Sequence, residues 1–229
     1  LLDAATEHIA RVVARYRACR TIIAWQLEHE AVDPLGVEHS WRLDQSFVER
    51  ELAALRTADP TRPVMLNGYL PTTAAVRLVQ WWRTRDQGDS LALAQREADI
   101  VGIDFYPRQA LLRMGNRTIY LDGSASAWCE AKCRAVLAAS HASGRQVMIA
   151  EGQAEPWETV TSPPNPAGRA MYSCLPEHVI ANYNACMRWS QPEAALSAYL
   201  FWGAEYWLLR DRSADPSYLQ AFARILECA

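Results

Sequence analysis

The 229-residue sequence predicts an α/β fold on a parallel sheet and, within that class, a (β/α)8 TIM barrel. Three observations predict it. Helical apolar stripes alternate strictly with short strand-like runs, the rhythm of parallel strands joined by right-handed helical crossovers. The strand-like runs are continuously apolar instead of alternating, as expected where helices or a barrel core cover both faces. The glycine-rich turns of open nucleotide-binding sheets, GxGxxG and GxxxxGKS/T, are absent, which favours the closed barrel.

The elements follow in order. Leu2, Ala5, Ile9, Val12, Val13 and Tyr16 put one apolar stripe on a helix within residues 2–19, and the β-branched run TIIAWQL (21–27) follows as a buried strand. A helix near 44–57 leads into RPVMLN, a helix near 72–97 into ADIVGIDFY, and a helix near 127–143 into RQVMIAE. A helix near 176–189 leads into ALSAYLFWG, and a last helix near 216–227 closes the chain.

Composition narrows the function. Half of the residues are hydrophobic and 21% charged, the balance of a folded domain, and one domain over residues 1–229 is the expectation. The formal charge is -3, and the basic residues are scattered. Nucleic acid is therefore a poor partner and a neutral or polar ligand a better one. No apolar run reaches the ~18 residues that cross a bilayer, so no membrane partner is expected. The amphipathic start, LLDAATEHIARVV, is not a signal-peptide core, and the sequence gives no address. The six cysteines are too dispersed for a paired CxxC metal site and read mostly as small buried residues, with a Cys174–Cys186 bridge conceivable in an oxidising compartment.

In a barrel the site lies at the carboxyl ends of the strands. Those ends read Glu28, His29 and Glu30, then Asn67, then Asp104 and Tyr106, then Glu151, then Trp202 and Glu205. Loops are polar in general, which accounts for any single one of these residues. It accounts less well for carboxylates and aromatics placed directly after four of five apolar runs.

These stretches resemble the retaining β-glycosidases with a (β/α)8 barrel, the clan that includes cellulase-like and β-galactosidase-like enzymes. AWQLEHE resembles their fourth strand, of the type W-Q-x-x-N-E, and GIDFYP the sixth. VMIAEGQAEPW resembles the seventh strand and LFWG the eighth, with about 120 residues between Glu30 and Glu151. The four motifs, in this order, carry the resemblance. It implies an incomplete barrel: the chain aligns with the last five β/α units, and the N-terminal third of the domain would lie before Leu1.

The resemblance also implies roles. Retaining glycosidases use two carboxyl groups ~5 to 5.5 Å apart, one as acid/base and one as nucleophile. Glu30 falls at the acid/base position and Glu151 at that of the nucleophile. Tyr106 would orient the nucleophile, and Trp202 would floor the sugar subsite, an aromatic face meeting the apolar face of a pyranose. Trp41, Trp157 and Trp207, read as loop residues after strands, could extend that platform, though each taken singly reads as packing before ligand contact, and Glu155 could bind a sugar hydroxyl. Apart from the resemblance, Glu28, two residues before Glu30, falls on the same strand face, where it either helps hold the proton of the acid or is a polar interior residue of the barrel's layers, two readings of equal weight.

His29 departs from the pattern, which has Asn there to bond the sugar 2-hydroxyl. An imidazole can donate or accept one such bond, but it is bulkier and it titrates. A retaining glycosidase acting on an oligosaccharide or polysaccharide is therefore the expected function, with no cofactor. A carbohydrate-binding pseudoenzyme is the alternative. A metal hydrolase using Glu28, His29 and Glu30 ranks third, because the other four histidines fall away from the strand tips. Glucan, mannan and galactoside substrates stay equally open.

Overall fold

The protein is described by a computed structural model over residues 1–32, 43–84, 89–114, 117–156 and 173–228. Five strands, β1 (Trp25–Gln26), β2 (Val64–Tyr69), β3 (Ile100–Phe105), β6 (Gln146–Gln153) and β7 (Leu196–Trp202), form one sheet in the order β1-β2-β3-β6-β7. Every neighbouring pair is parallel. Spatial order equals chain order, as in a sheet that winds towards a barrel instead of reversing at a switch point. The helices are α1 (Leu2–Tyr16), α2 (Gln45–Ala58), α3 (Ala74–Thr84), α4 (Ser90–Glu97), α5 (Ala127–Ala142), α6 (Pro176–Trp189), α7 (Ala204–Arg212) and α8 (Ser217–Cys228).

The two faces of the sheet have separate cores. Val64 and Leu66 of β2, Val101, Ile103 and Phe105 of β3, and Val147 and Ile149 of β6 pack with helix residues such as Val13, Val48, Leu52 and Leu137. The intervening residues Met65, Ile100 and Ala150 form a second, smaller cluster with Ala24 and Met148. The period of two thus sorts an outer, helix-covered face from an inner face that belongs to the barrel interior.

Four expectations need correction. The first strand is shorter than the apolar run 21–27: only Trp25 and Gln26 pair with β2, and Ile23 is 82% exposed. The Ile22 carbonyl accepts from Arg62 Nε at 2.9 Å, so the chain ahead of Trp25 is held by a guanidinium and not by a strand. The single helix expected near 72–97 is two. Asp89 caps α4 by accepting from the Ala92 amide at 2.7 Å and pairs with Arg77 of α3 at 3.0 Å, tying the two helices together.

The third correction is an antiparallel hairpin, β4 (Arg108–Met114) with β5 (Arg117–Asp122), directly after β3. Its base is closed by the Gly123 amide donating to the Pro107 carbonyl at 2.8 Å. The sequence signal was the Gly115-Asn116 pair between two strand-compatible runs. The fourth is α7, whose signal was Glu205 in the first turn and Arg210 and Arg212 in the last. The five cysteines whose side chains are described are free thiols, so there is no Cys174–Cys186 bridge, and four of them are buried. Among the described residues no helix is long and apolar enough to cross a membrane.

Candidate active site

Glu151 reaches the inner face through a break in the pleat. Ile103 pairs with Ile149, but the next residue of β3, Asp104, pairs with Glu151, so Ala150 has no partner in the register. Met148 and Ala150 face inward, and strict alternation would send Glu151 out to the helices. The bulge resets the phase, so Ala150 and Glu151 both face inward. Gly102 makes room for it: a Cβ there would stand 2.8 Å from the Asn67 Cβ and 3.0 Å from the Ala150 Cβ.

Around Glu151 the strand ends converge. Tyr106, two residues after Asp104 and on the same face, donates its hydroxyl to Glu151 Oε2 at 2.6 Å. Burial, the bond to Glu151 and the charges of Glu151, Asp104 and Glu30 all push the Tyr106 hydroxyl far above its usual range. It therefore stays a donor. Asn67 of β2 donates through Nδ2 to Asp104 Oδ2 at 2.8 Å and lies 2.9 Å from His29 Nδ1. The same His29 nitrogen is 3.3 Å from Glu151 Oε1.

That last arrangement carries a choice. A neutral imidazole with a bare Nδ1 accepts from the Asn67 amide, whereas one protonated at Nδ1 donates to Glu151. One nitrogen cannot do both with a single partner orientation. His29 is half exposed, with 54% of its side chain accessible, and Glu151 is nearly buried at 9%.

The turn after β1 places His29 and Glu30. Glu28 and Glu30 both adopt positive φ, 57° and 44°, a conformation unusual for residues other than glycine. The Glu30 amide donates to Asn67 Oδ1 at 3.4 Å, which ties the turn to β2. Glu30 borders a small, open pocket whose other lining includes Leu27, Glu28, Asn67 and Ser90. Strand alternation does not place Glu28 relative to Glu30. The strand has already ended at Gln26, and the left-handed residue turns the Glu28 carboxyl to that of Glu51 on α2. Burial first, and then the charge and hydrogen bond of Glu28, push the Glu51 carboxyl up to about 7. The signal for Glu51 was its place in the apolar stripe of α2, at i+3 from Val48 and i-4 from Leu55, both buried.

The remaining candidates separate. Trp202 ends β7 half exposed beside Glu155; burial and the charge of Glu205 push the Glu155 carboxyl above its usual range, and the Trp202 indole offsets part of that rise. Gly203, at φ 117°, lets the two meet, since a Cβ there would lie 2.5 Å from the Glu155 Cβ. Trp207 is not a loop residue: it lies in α7, 4% exposed, and its indole donates to the Ala154 carbonyl at 2.7 Å. Trp41 and Trp157 lie outside the described residues. Among the described residues, the imidazole and two carboxylates that come within reach of one another are His29, Asp104 and Glu151, from three strand ends. They replace the set Glu28, His29 and Glu30 considered from sequence.

Sequence reading placed Asn67 and Asp104 at strand ends without assigning them work; their contacts make them the bridge between His29 and the Tyr106–Glu151 pair. Gln153 was missed. It is buried, and its Oε1 accepts from the Arg108 amide at 3.2 Å, anchoring the hairpin to β6 at the rim.

No protein-family model matches the chain, and no curated protein matches it. Solved structures do. The chain is similar to a β-glucuronidase from Ruminococcus gnavus, with TM-score 0.50 and 14% identity over 89% of this chain and 29% of that one. It is similar to fungal β-1,4-galactanases, with TM-score 0.50 and 10% identity over 94% of this chain and 62% of that one. Xylanase 10B from Thermotoga maritima has TM-score 0.49 and 16% identity over 89% and 54%. The chain spans less than two thirds of each of these proteins, and at such identities the likeness is one of fold. The five-stranded parallel sheet is a curled half-barrel resembling part of TIM-barrel glycoside hydrolases.

Proposed function

We propose that the chain forms the side of a glycoside hydrolase barrel that carries both catalytic glutamates, and that it cleaves β-linked oligosaccharide or polysaccharide with retention. The observation that carries this reading is the 2.6 Å hydrogen bond from Tyr106 to Glu151, made by a glutamate that a bulge has turned into the barrel mouth. Glu151 is the nucleophile. Tyr106 holds Oε2, which leaves Oε1 on the side of His29 and Asn67, where a sugar would approach. Glu30 is the acid/base, which protonates the departing oxygen as Glu151 attacks the anomeric carbon and then activates the water that releases the sugar. Trp202, half exposed beside Glu155, offers an apolar face for the pyranose.

The neighbours of the fold are a glucuronidase, galactanases and a xylanase, in keeping with a carbohydrate substrate. His29 supports a second reading, a carbohydrate-binding protein without turnover, because its Nδ1 already lies against Glu151 at 3.3 Å. An activated 2-fluoroglycoside separates the two. Covalent labelling of Glu151, together with loss of aryl β-glycoside hydrolysis in Glu151→Gln, supports the hydrolase. Sugar binding with no labelling supports the binding protein, and wild-type turnover in Glu151→Gln would remove the nucleophile assignment.

A further inference from the structure

The cluster at the mouth has a property beyond hydrolysis. His29 Nδ1, a carboxylate oxygen of Asp104 and one of Glu151 lie within 4.8 Å of one another. Zinc-to-ligand bonds of about 2.0 to 2.1 Å at tetrahedral angles put neighbouring ligand atoms about 3.3 Å apart. The His29 Nδ1 to Glu151 Oε1 separation is 3.3 Å, so one edge of such a site already has its working length. Asp104 is wholly buried and Glu151 nearly so, whereas His29 opens to solvent. The result is two fixed acidic ligands and one accessible, movable imidazole. Glu30 adds a third negative charge felt at Tyr106 along with those of Asp104 and Glu151, and a concentrated negative potential favours a cation.

We propose that His29, Asp104 and Glu151 form a binding site for a divalent transition-metal ion of the zinc type. A mixed imidazole and carboxylate set selects such ions over magnesium, which prefers oxygen alone. The Asn67 amide nitrogen, 2.9 Å from His29 Nδ1 and 2.8 Å from Asp104 Oδ2, holds the two ligands together with its N–H groups. The ion displaces that bridge and takes over its positive role. His29 is the decisive ligand, because an asparagine at this position would leave two carboxylates without an imidazole. Where the hydrolase reading holds, the bound ion occupies the carboxylate of the nucleophile and acts as an inhibitor. The site itself does not depend on turnover.

Titration of Zn²⁺ into chelator-stripped protein tests this, in a Cys19→Ser background that removes the one exposed thiol among the described side chains. One ion per chain should bind with a dissociation constant near or below ~10 μM, and His29→Asn should weaken it by about tenfold or more. Co²⁺ should give visible bands without the charge-transfer absorption of a thiolate ligand, a readout taken on the Cys19→Ser protein with His29 intact. Mg²⁺ should not compete. Zn²⁺ affinity unchanged by His29→Asn, or a cobalt spectrum with thiolate absorption, overturns the site. Labelling of Glu151 by the fluoroglycoside is measured without metal, so either idea can fail alone.

Discussion

Replacing Glu51 by glutamine should make the protein more stable at alkaline pH and leave it unchanged in acid. Glu51 is 2% exposed on α2 and meets the Glu28 carboxyl. Its pKa rises from 4.5 to about 7 on folding. A carboxyl whose folded pKa lies above its unfolded one contributes stability that is fully present below the unfolded value. That contribution is lost as pH rises to the folded value, because the unfolded chain then binds fewer protons than the folded one. A shift of ~2.5 units at 1.36 kcal/mol each corresponds to about 3 kcal/mol, lost between roughly pH 4.5 and 7. Glutamine has the shape of the protonated acid and no charge. Urea unfolding midpoints at about pH 4 and about pH 8 give the comparison, with other titrating groups cancelling between variant and wild type. The expected difference is near zero at the lower pH and about 2 to 3 kcal/mol in favour of Glu51→Gln at the higher. An equal difference at both pH values would refute the buried pair, and with it the account of how the turn carrying His29 and Glu30 is seated.

Other outcomes follow from the same contacts. Tyr106→Phe removes the hydroxyl that orients Glu151; a hydrogen bond to a charged group is worth about 1.5 to 3 kcal/mol, so kcat on an aryl β-glycoside should fall about 10- to 150-fold. An unchanged kcat would mean that the bond does not act in turnover. His29→Asn should raise kcat/KM on the same substrate if the amide of the resembling family suits this pocket, and a fall would show the imidazole to be the working group. Gly203→Ala forces a side chain onto φ 117° and against Glu155, and should cost about 1 to 3 kcal/mol in urea unfolding. Its effect on substrate should appear in KM, since Trp202 is the residue displaced.

The strand rhythm was legible because parallel strands covered on both faces are continuous apolar runs, and four of the five expected runs pair over most of their length. The residues that end them, Asn67, Asp104, Tyr106 and Glu151, were legible for the same reason. The direction of Glu28 was not. Counting by two from Glu30 assumes an unbroken strand, and positive φ at Glu28 and Glu30 removes that assumption. The loop positions assigned to Trp207 failed because a helix begins at Ala204, directly after the strand. Glu155 was read as binding a sugar hydroxyl, and only the folded chain shows it packed against Gly203 and under the charge of Glu205.

By itself, then, the sequence determined which segments are strands, which are helices, and which chemical groups stand at the strand ends, since periodicity and composition are properties of neighbours along the chain. Tertiary structure decided which of those groups meet. The bulge at Ala150 turns Glu151 inward because of the register of β6 against β3. The left-handed turn sends Glu28 to α2, and the Asn67 amide joins His29 to Asp104 across three strands. Each of these depends on residues tens of positions apart competing for one face of a sheet, and no local pattern records the winner.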